Sequence, residues 1–335
     1  MTASIPYAAA FFSWTRIYFE RWKALPESTQ ANVRSFQTPA DEFYRKYKKI
    51  PPPSTPHAIL PELAAAKERM GNDEEYKMNQ EKKKNILVVG DCHGCYDELL
   101  ELHAKAVKEN NNIQFKYVLL VGDLCNKGPE STKVIRHVRL ASNFFSVRGN
   151  HDEGALAAAL GERSSRQKKK YHWIEDEHNN HDAALSDDDV SWLAELPYTI
   201  KIPGDFFGTS EHNDIIIVHA GFIPNTSSNI EGQEIKTMTT IRDLLPRYDK
   251  DRKFTHYEHY EQRKSDDDPI PWASVWDGSF VIFGHDAKRK LQMYEKAIGL
   301  DTGAVYGGKL TGLILSSYSE RKLVSVQSKE YVSVT

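Results

Sequence analysis

Residues 85–94 read Asn85-Ile86-Leu87-Val88-Val89-Gly90-Asp91-Cys92-His93-Gly94, an apolar run that stops at glycine and hands over to an acid and an imidazole. A short apolar run bounded by turn residues predicts a buried strand that ends in a loop. The pattern returns as Val118 to Val121 before Gly122-Asp123, Ile215 to Val218 before His219-Ala220-Gly221, and Val281 to Phe283 before Gly284-His285-Asp286. A shorter run, Phe144 to Val147, leads into Gly149-Asn150-His151-Asp152. Side chains at strand ends are held stiffly yet open to solvent, as a catalytic metal site requires.

Outward from that first run the chain alternates. Strands at Asn85 to Val89, Tyr117 to Val121 and Phe144 to Val147 are separated by helical stretches from Tyr96 to about Glu109 and from about Pro129 to Leu140, and a third helix runs from about Glu153 to Leu160. This rhythm predicts a parallel sheet with right-handed crossovers. Ser186, followed by three aspartates and then Val190, predicts a helix N-cap. The remainder is strand-rich, at Tyr198 to Ile202, Ile215 to Val218, Phe280 to Phe283, Ile298 to Asp301, Leu310 to Ser317 and Leu323 to Gln327. An α/β fold of two sheets packed face to face, with helices outside, accommodates the mixture. Residues 84–330 form this domain, with a polar surface insertion at 163–186. Residues 1–83 read as an appended segment, helical and partly flexible, with helices at Phe11 to Leu25 and Leu60 to Met70 around an extended Pro51-Pro52-Pro53-Ser54-Thr55-Pro56 run.

The 335 residues carry 44 basic and 47 acidic side chains, so no global field draws in nucleic acid or an anionic membrane. No stretch reaches the roughly 20 apolar residues of a membrane span. Three cysteines, at 92, 95 and 125, cluster among the motifs instead of spreading as a disulfide framework, which favours a reducing, cytoplasmic setting. At the N-terminus the basic residues follow the apolar Tyr7 to Trp14, the reverse of a secretory signal, and Met1 to Lys23 reads as an amphipathic helix in preference to a transit peptide.

Asp91 and His93 alternate on an extended backbone, point to the same side and can bind one ion. The two oxygens of Asp123 can bridge to a second ion, completed by Asn150, His219 and His285. Carboxylate, amide and imidazole without thiolate suit Mn, Zn, Fe or Co. Two such ions lower the pKa of a water held between them and neutralise a phosphoryl group attacked in line, with the resulting hydroxide as nucleophile. His151 is placed to protonate the leaving oxygen, and its neighbour Asp152 and Asn126 join it as candidate catalytic residues. Lys127, Arg148 and Arg242 are the candidate phosphate-binding cations. The expected partner is therefore a phosphate-containing small molecule.

Other features have plainer readings. Cys92-His93-Gly94-Cys95 mimics a redox or zinc motif, but Cys92 points away from the ligand side of the strand. His172, His178 and His181 lie in a solvated insertion, as do Lys168 to Lys170. The aromatic residues Phe11, Phe12, Trp14, Tyr18 and Trp22 form a stripe that packs on the domain or on a partner.

Taken in order, Gly-Asp-x-His-Gly, Gly-Asp-x-x-x-Lys-Gly, Gly-Asn-His-Asp, His-Ala-Gly and Gly-His resemble the phosphoprotein-phosphatase superfamily of binuclear, calcineurin-like metallophosphoesterases. Within it the chain is similar to the ApaH-like branch, relatives of diadenosine tetraphosphate hydrolases and zinc-dependent endopolyphosphatases. Asn126 to Ser131, Phe283 to Arg289 and Gly299 to Gly308 carry that likeness. It implies Asp91, His93, Asp123, Asn150, His219 and His285 as ligands of two divalent ions, His151 as general acid, and a two-sheet sandwich. One departure matters. Protein Ser/Thr phosphatases place an Asp-Arg pair where this chain has Asn126-Lys127, and an amide orients the His without adding charge. A phosphate leaving group needs a proton less than an alkoxide does, which tilts the expectation toward phosphoanhydride cleavage, of inorganic polyphosphate or of dinucleoside polyphosphates including cap-like ends. A protein Ser/Thr or Tyr phosphatase is the alternative, and a non-catalytic phosphate-binding scaffold the third reading.

Overall fold

The computed structural model describes residues 50–60, 62, 64–65, 84–161, 171–175, 184–207, 214–224, 230–260 and 268–332. The apolar runs become short strands in two mixed sheets. One is five-stranded, in the order Arg321–Gln327 (β14), Lys309–Leu315 (β13), Ile86–Val89 (β2), Tyr117–Leu120 (β3) and Phe144–Ser146 (β4). The other is six-stranded, in the order His57–Ile59 (β1), Thr199–Ile202 (β5), Ile215–Val218 (β6), Phe280–Phe283 (β10), Ala297–Gly299 (β12) and Gln292–Met293 (β11).

Alternation along β2 and β3 shows why a continuous apolar run was needed. Ile86, Val88 and Leu119 face inward to a core shared with Ile200, Ile215, Ile217, Ile282 and Ile298 of the other sheet. Leu87, Val89, Val118 and Leu120 face outward to helices Tyr96–Glu109 (α1) and Ser131–Leu140 (α2), meeting Leu99, Leu102, Val134 and Ile135. Both faces are covered, so no polar position interrupts either strand. On the far side of the six-stranded sheet, Ile216, Val218, Val281 and Phe283 pack with Trp272, Met238 and Leu244. Ser186 caps helix Asp187–Ala194 (α4) as expected, exchanging hydrogen bonds with Asp189.

Strands β2, β3 and β4 are mutually parallel, and so are β6, β10 and β12. Parallel neighbours end at a common edge, which gathers the loops after all six strands. This is what converts five scattered motifs into one place.

Four features depart from the expectation. The helix after β4 spans Asn150–Ala159 (α3) and so begins before Glu153, because Gly149 is extended and the Asp152 carboxylate reaches back to its N–H. Residues 57–59, placed with the appended segment, form an edge strand parallel to Thr199–Lys201. Within the polar stretch 163–186, Tyr171 and Ile174 are buried in the core. Between helix Ile235–Thr240 (α5) and β10 lies a third sheet, formed by Asp243–Tyr248 (β7), Phe254–Tyr260 (β8) and Ile270–Pro271 (β9), which the sequence reading did not contain. The aromatic stripe at Phe11 to Trp22, Lys168 to Lys170, His178 and His181 lie outside the described residues, as does the Phe11 to Leu25 helix. No helix among the described residues is long and apolar enough to cross a membrane.

Candidate active site

The loops that leave the strand edge interlock through their backbones. Gly284 N–H donates to the His219 carbonyl at 2.8 Å, and His93 N–H to the Asp123 carbonyl at 2.8 Å. His285 N–H sits 3.1 and 3.0 Å from the two oxygens of Asp91. Such close passage needs small residues: a Cβ on Gly284 would overlap the Asp91 carboxylate, and one on Gly149 would overlap that of Asp123. His93, Asp123, Asn126, Lys127 and His285 all take positive φ, at 44°, 52°, 72°, 74° and 69°. Left-handed backbone costs about 1 kcal/mol or more per non-glycine residue, so strain is concentrated around this one site.

Each ligand-type histidine is oriented by a backbone carbonyl. His93 Nδ1 lies 3.1 Å from the Cys125 carbonyl, His219 Nδ1 2.9 Å from that of Val121, and His285 Nε2 3.1 Å from that of Thr240. A carbonyl only accepts, so these nitrogens carry the protons and the opposite ring nitrogens present lone pairs. His219 Nε2 and His285 Nδ1 then converge on Asn150 Oδ1, at 3.0 and 2.9 Å. Three acceptors face one another with no donor among them, an arrangement that asks for a cation.

Asp123 stands between two such clusters. Its Oδ2 is 3.5 Å from His93 Nε2, and its Oδ1 is 3.4 Å from His219 Nε2. Buried donors group as His93, Asp123 and His151, and as Asp91, Asp123 and His219, with Asp123 common to both. Two divalent ions fit these clusters of carboxylate and imidazole, with Asn150 and His285 adjoining through His219; Asp91 and His93, expected on one ion, fall in different groups, and His151 stands with His93. Burial raises the Asp91 carboxyl well above the carboxylate range, helped by Asp301 and Asp123. Burial likewise pushes Asp301 up to about 6, with Asp123 adding to it. Asp123 goes the other way: burial alone would raise it, but the surrounding His219, His151 and His93 hold it low. Burial drives His93 down to about 4, against the pull of Asp123. Crowded buried carboxylates beside imidazoles that burial keeps neutral have Lys127 and Arg242 as their nearby positive charges, to which bound cations would add.

The remaining expected residues divide. Asn126 Nδ2 is 2.7 Å from His151 Nδ1, so the amide holds the ring and leaves the proton on Nε2. Lys127 Nζ is 3.0 Å from His93 Nε2, inside the site. Arg242 donates to the His285 carbonyl at 3.0 Å and pairs with the buried Asp286 carboxylate at 3.7 Å, its side chain 45 % exposed at the rim of the site. Arg148 does not serve as expected. It is fully buried, with its three guanidinium nitrogens donating to the carbonyls of Pro51, Leu196 and Ala194, to Tyr198 and to Glu153. It clamps strand β4 to its neighbours instead of a phosphate.

Asp152 also differs from the catalytic reading. Its Oδ2 accepts from the N–H groups of Asp123 and Gly149, both at 2.9 Å, and its Oδ1 from Leu124 N–H at 3.0 Å and the Cys125 thiol at 3.3 Å. With both oxygens committed, it shapes the Asp123 loop. Cys92, Cys95 and Cys125 are buried free thiols, and burial pushes Cys95 up to about 12, which leaves the Cys-x-x-Cys unsuited to redox chemistry. Asp301, not among the expected site residues, is buried and acts electrostatically on Asp91. Its signal was available, because Ile298 to Leu300 before Asp301-Thr302-Gly303 repeats the strand-end pattern of the other motifs.

A family model described as calcineurin-like phosphoesterase matches residues 84–289. The chain is 25% identical to the asymmetrical bis(5'-nucleosyl)-tetraphosphatase PrpE of Halalkalibacterium halodurans over 254 residues, covering 72% of this chain and 94% of that one. It is 29% identical to the symmetrical bis(5'-nucleosyl)-tetraphosphatase of Vibrio parahaemolyticus over 272 residues, covering 67% and 92%. A crystal structure provisionally described as a diadenosine tetraphosphatase superposes with a TM-score of 0.56 at 29% identity, covering 74% of this chain and 96% of the other.

Proposed function

Since the chain belongs to the calcineurin-like phosphoesterases, we propose that it is a two-cation hydrolase of phosphoanhydride bonds. Dinucleoside polyphosphates such as diadenosine tetraphosphate are its leading substrates, with inorganic polyphosphate and cap-like ends in the same class. The observation that carries this reading is the neutral Asn126 amide 2.7 Å from His151 Nδ1. A carboxylate there would favour the imidazolium and suit a poor leaving group, whereas an amide only orients the ring. A departing phosphate chain is already stable as an anion. The relatives named as tetraphosphatases are further support, since each is named for a phosphoanhydride substrate.

When bound, two divalent ions supply an activated water and positive charge against the phosphoryl oxygens. Asp91, His93, Asp123, Asn150, His219 and His285 would hold them. His151 gives its Nε2 proton to the leaving oxygen as the imidazolium, the form in which the Asn126 amide turns its oxygen to accept from Nδ1. Lys127 and Arg242 bind phosphate oxygens from two sides of the site, and Asn126 keeps the His151 ring in register. The test is kcat/KM, with Mn and with Zn, on diadenosine tetraphosphate, polyphosphate, capped RNA and a phosphoserine peptide. Anhydrides are expected to lead. A phosphopeptide turned over as well as the best anhydride contradicts the proposal.

A further inference from the structure

A lysine ammonium is a point charge on a flexible stem, and something must aim it if it is to bind phosphate selectively. Lys127 Nζ has two neighbours of note. One is His93 Nε2 at 3.0 Å, a nitrogen the cation cage would claim. The other is the ring of Tyr306, whose centroid lies 5.1 Å away. That distance is within the range at which an aromatic face attracts a cation. The ring is therefore the partner Lys127 keeps when the cage is filled.

The Tyr306 ring is itself fixed from behind. Its loop turns at Gly303 and Gly307, both at positive φ, with Tyr306 N–H donating to the Gly303 carbonyl at 3.0 Å. The segment after β14 straps this loop down. Ser328 N–H donates to the Gly308 carbonyl and Tyr331 N–H to that of Val305, both at 3.0 Å, while Gln327 Nε2 reaches the Gly307 carbonyl at 3.0 Å. Buried Glu98 of α1 holds the strap in turn, its Oε1 accepting from Ser328 Oγ at 3.0 Å and Tyr331 Oη at 2.9 Å. Glu98 lies on the helix that follows the Asp91 and His93 loop, so ring and cage are built on one frame.

We propose that Tyr306 is a positioning residue for substrate binding: its ring face holds the Lys127 ammonium toward the phosphate oxygens, and the strap 327–331 fixes the ring. This rests on the reading of Lys127 as a phosphate ligand. The role is in binding, so it should appear in KM and in affinity for inorganic phosphate, leaving kcat and metal content alone.

The experiment compares Y306L, Y306F, K127M and the double variant Y306L/K127M in the metal-loaded protein. KM for diadenosine tetraphosphate, calorimetric affinity for inorganic phosphate and metal content are read for each. Y306L is expected to raise KM and weaken phosphate binding about three- to tenfold, with kcat within about twofold. Y306F keeps the ring face and should match the wild type. In the K127M background Y306L should add nothing. Unchanged KM in Y306L beside a raised KM in K127M overturns this inference alone. Unchanged KM and phosphate affinity in K127M overturn the assignment of Lys127 and this inference with it. A Y306L effect that persists undiminished without Lys127 also overturns it. Should Y306L fold poorly, Y306M fills the volume without a ring face and is read against the same outcomes.

Discussion

Asp152→Asn should cost stability before it costs chemistry. The carboxylate accepts on both oxygens: Asp123 N–H and Gly149 N–H on Oδ2, Leu124 N–H and the Cys125 thiol on Oδ1. An amide has one acceptor oxygen. Its better placement keeps the Oδ2 pair and turns its NH2 against the Leu124 N–H, leaving one buried backbone donor without a partner, at about 1–3 kcal/mol. Part of this is offset, because burial and Asp123 push the Asp152 carboxyl up to about 7, and a neutral amide is relieved of that penalty. The expected loss is therefore about 1–2 kcal/mol for Asn, and about 3 kcal/mol or more for Ala, which leaves three backbone donors bare. Urea unfolding of the metal-depleted protein, followed by tryptophan fluorescence, measures it. The loaded variant should keep kcat/KM within about tenfold of wild type, the cost of a loop displaced by about 1.4 kcal/mol. An Asn variant as stable as wild type that loses more than about a thousandfold in kcat/KM would show a carboxylate that acts in the chemistry, and would refute the positioning role.

Arg148→Met should destabilise the fold by about 3–5 kcal/mol, since it takes the cation from Glu153, which keeps only the Tyr198 hydroxyl, and removes the guanidinium donors of three carbonyls, yet leave KM unchanged in whatever protein folds. Denaturant midpoint and KM together check it. Gly284→Ala should displace Asp91 and lower metal affinity by about tenfold or more, read by metal titration, because the added Cβ overlaps that carboxylate. Asn126→Asp should raise the phosphoserine-peptide to diadenosine-tetraphosphate ratio of kcat/KM by about tenfold, since the new charge favours a better proton donor.

The site was legible because its residues obey one local rule, an apolar strand that ends in a ligand-type residue with a glycine within two positions, and parallel strands bring such ends to one edge. Asp301 obeys the same rule and was passed over as a branch marker. Arg148 and Asp152 were misread for a common reason. Each lies next to a functional residue in the chain, but side chains alternate along extended backbone and turn about a helix, so adjacency says nothing about which neighbour faces the cage. Arg148 points to Pro51, Leu196 and Ala194, contacts nearly a hundred residues away at the farthest that no local pattern reveals. The third sheet escaped because β8 alternates charged, polar and aromatic residues with few aliphatics, and its exposed tip at Phe254 offers no buried face to read. The late prediction of α3 has a capping origin: the Asp152 carboxylate at the third helical position lets the helix start inside the motif.

Metal content of the fully loaded chain, counted by elemental analysis beside its kcat on diadenosine tetraphosphate, tests the central claim most directly. Asp123 is shared by both donor clusters. The wild type should hold two ions, and Asp123→Asn should lose occupancy at both positions together with activity, by about a thousandfold or more. An active wild type holding one ion or none, or an Asp123→Asn protein that keeps two ions and full turnover, would contradict it.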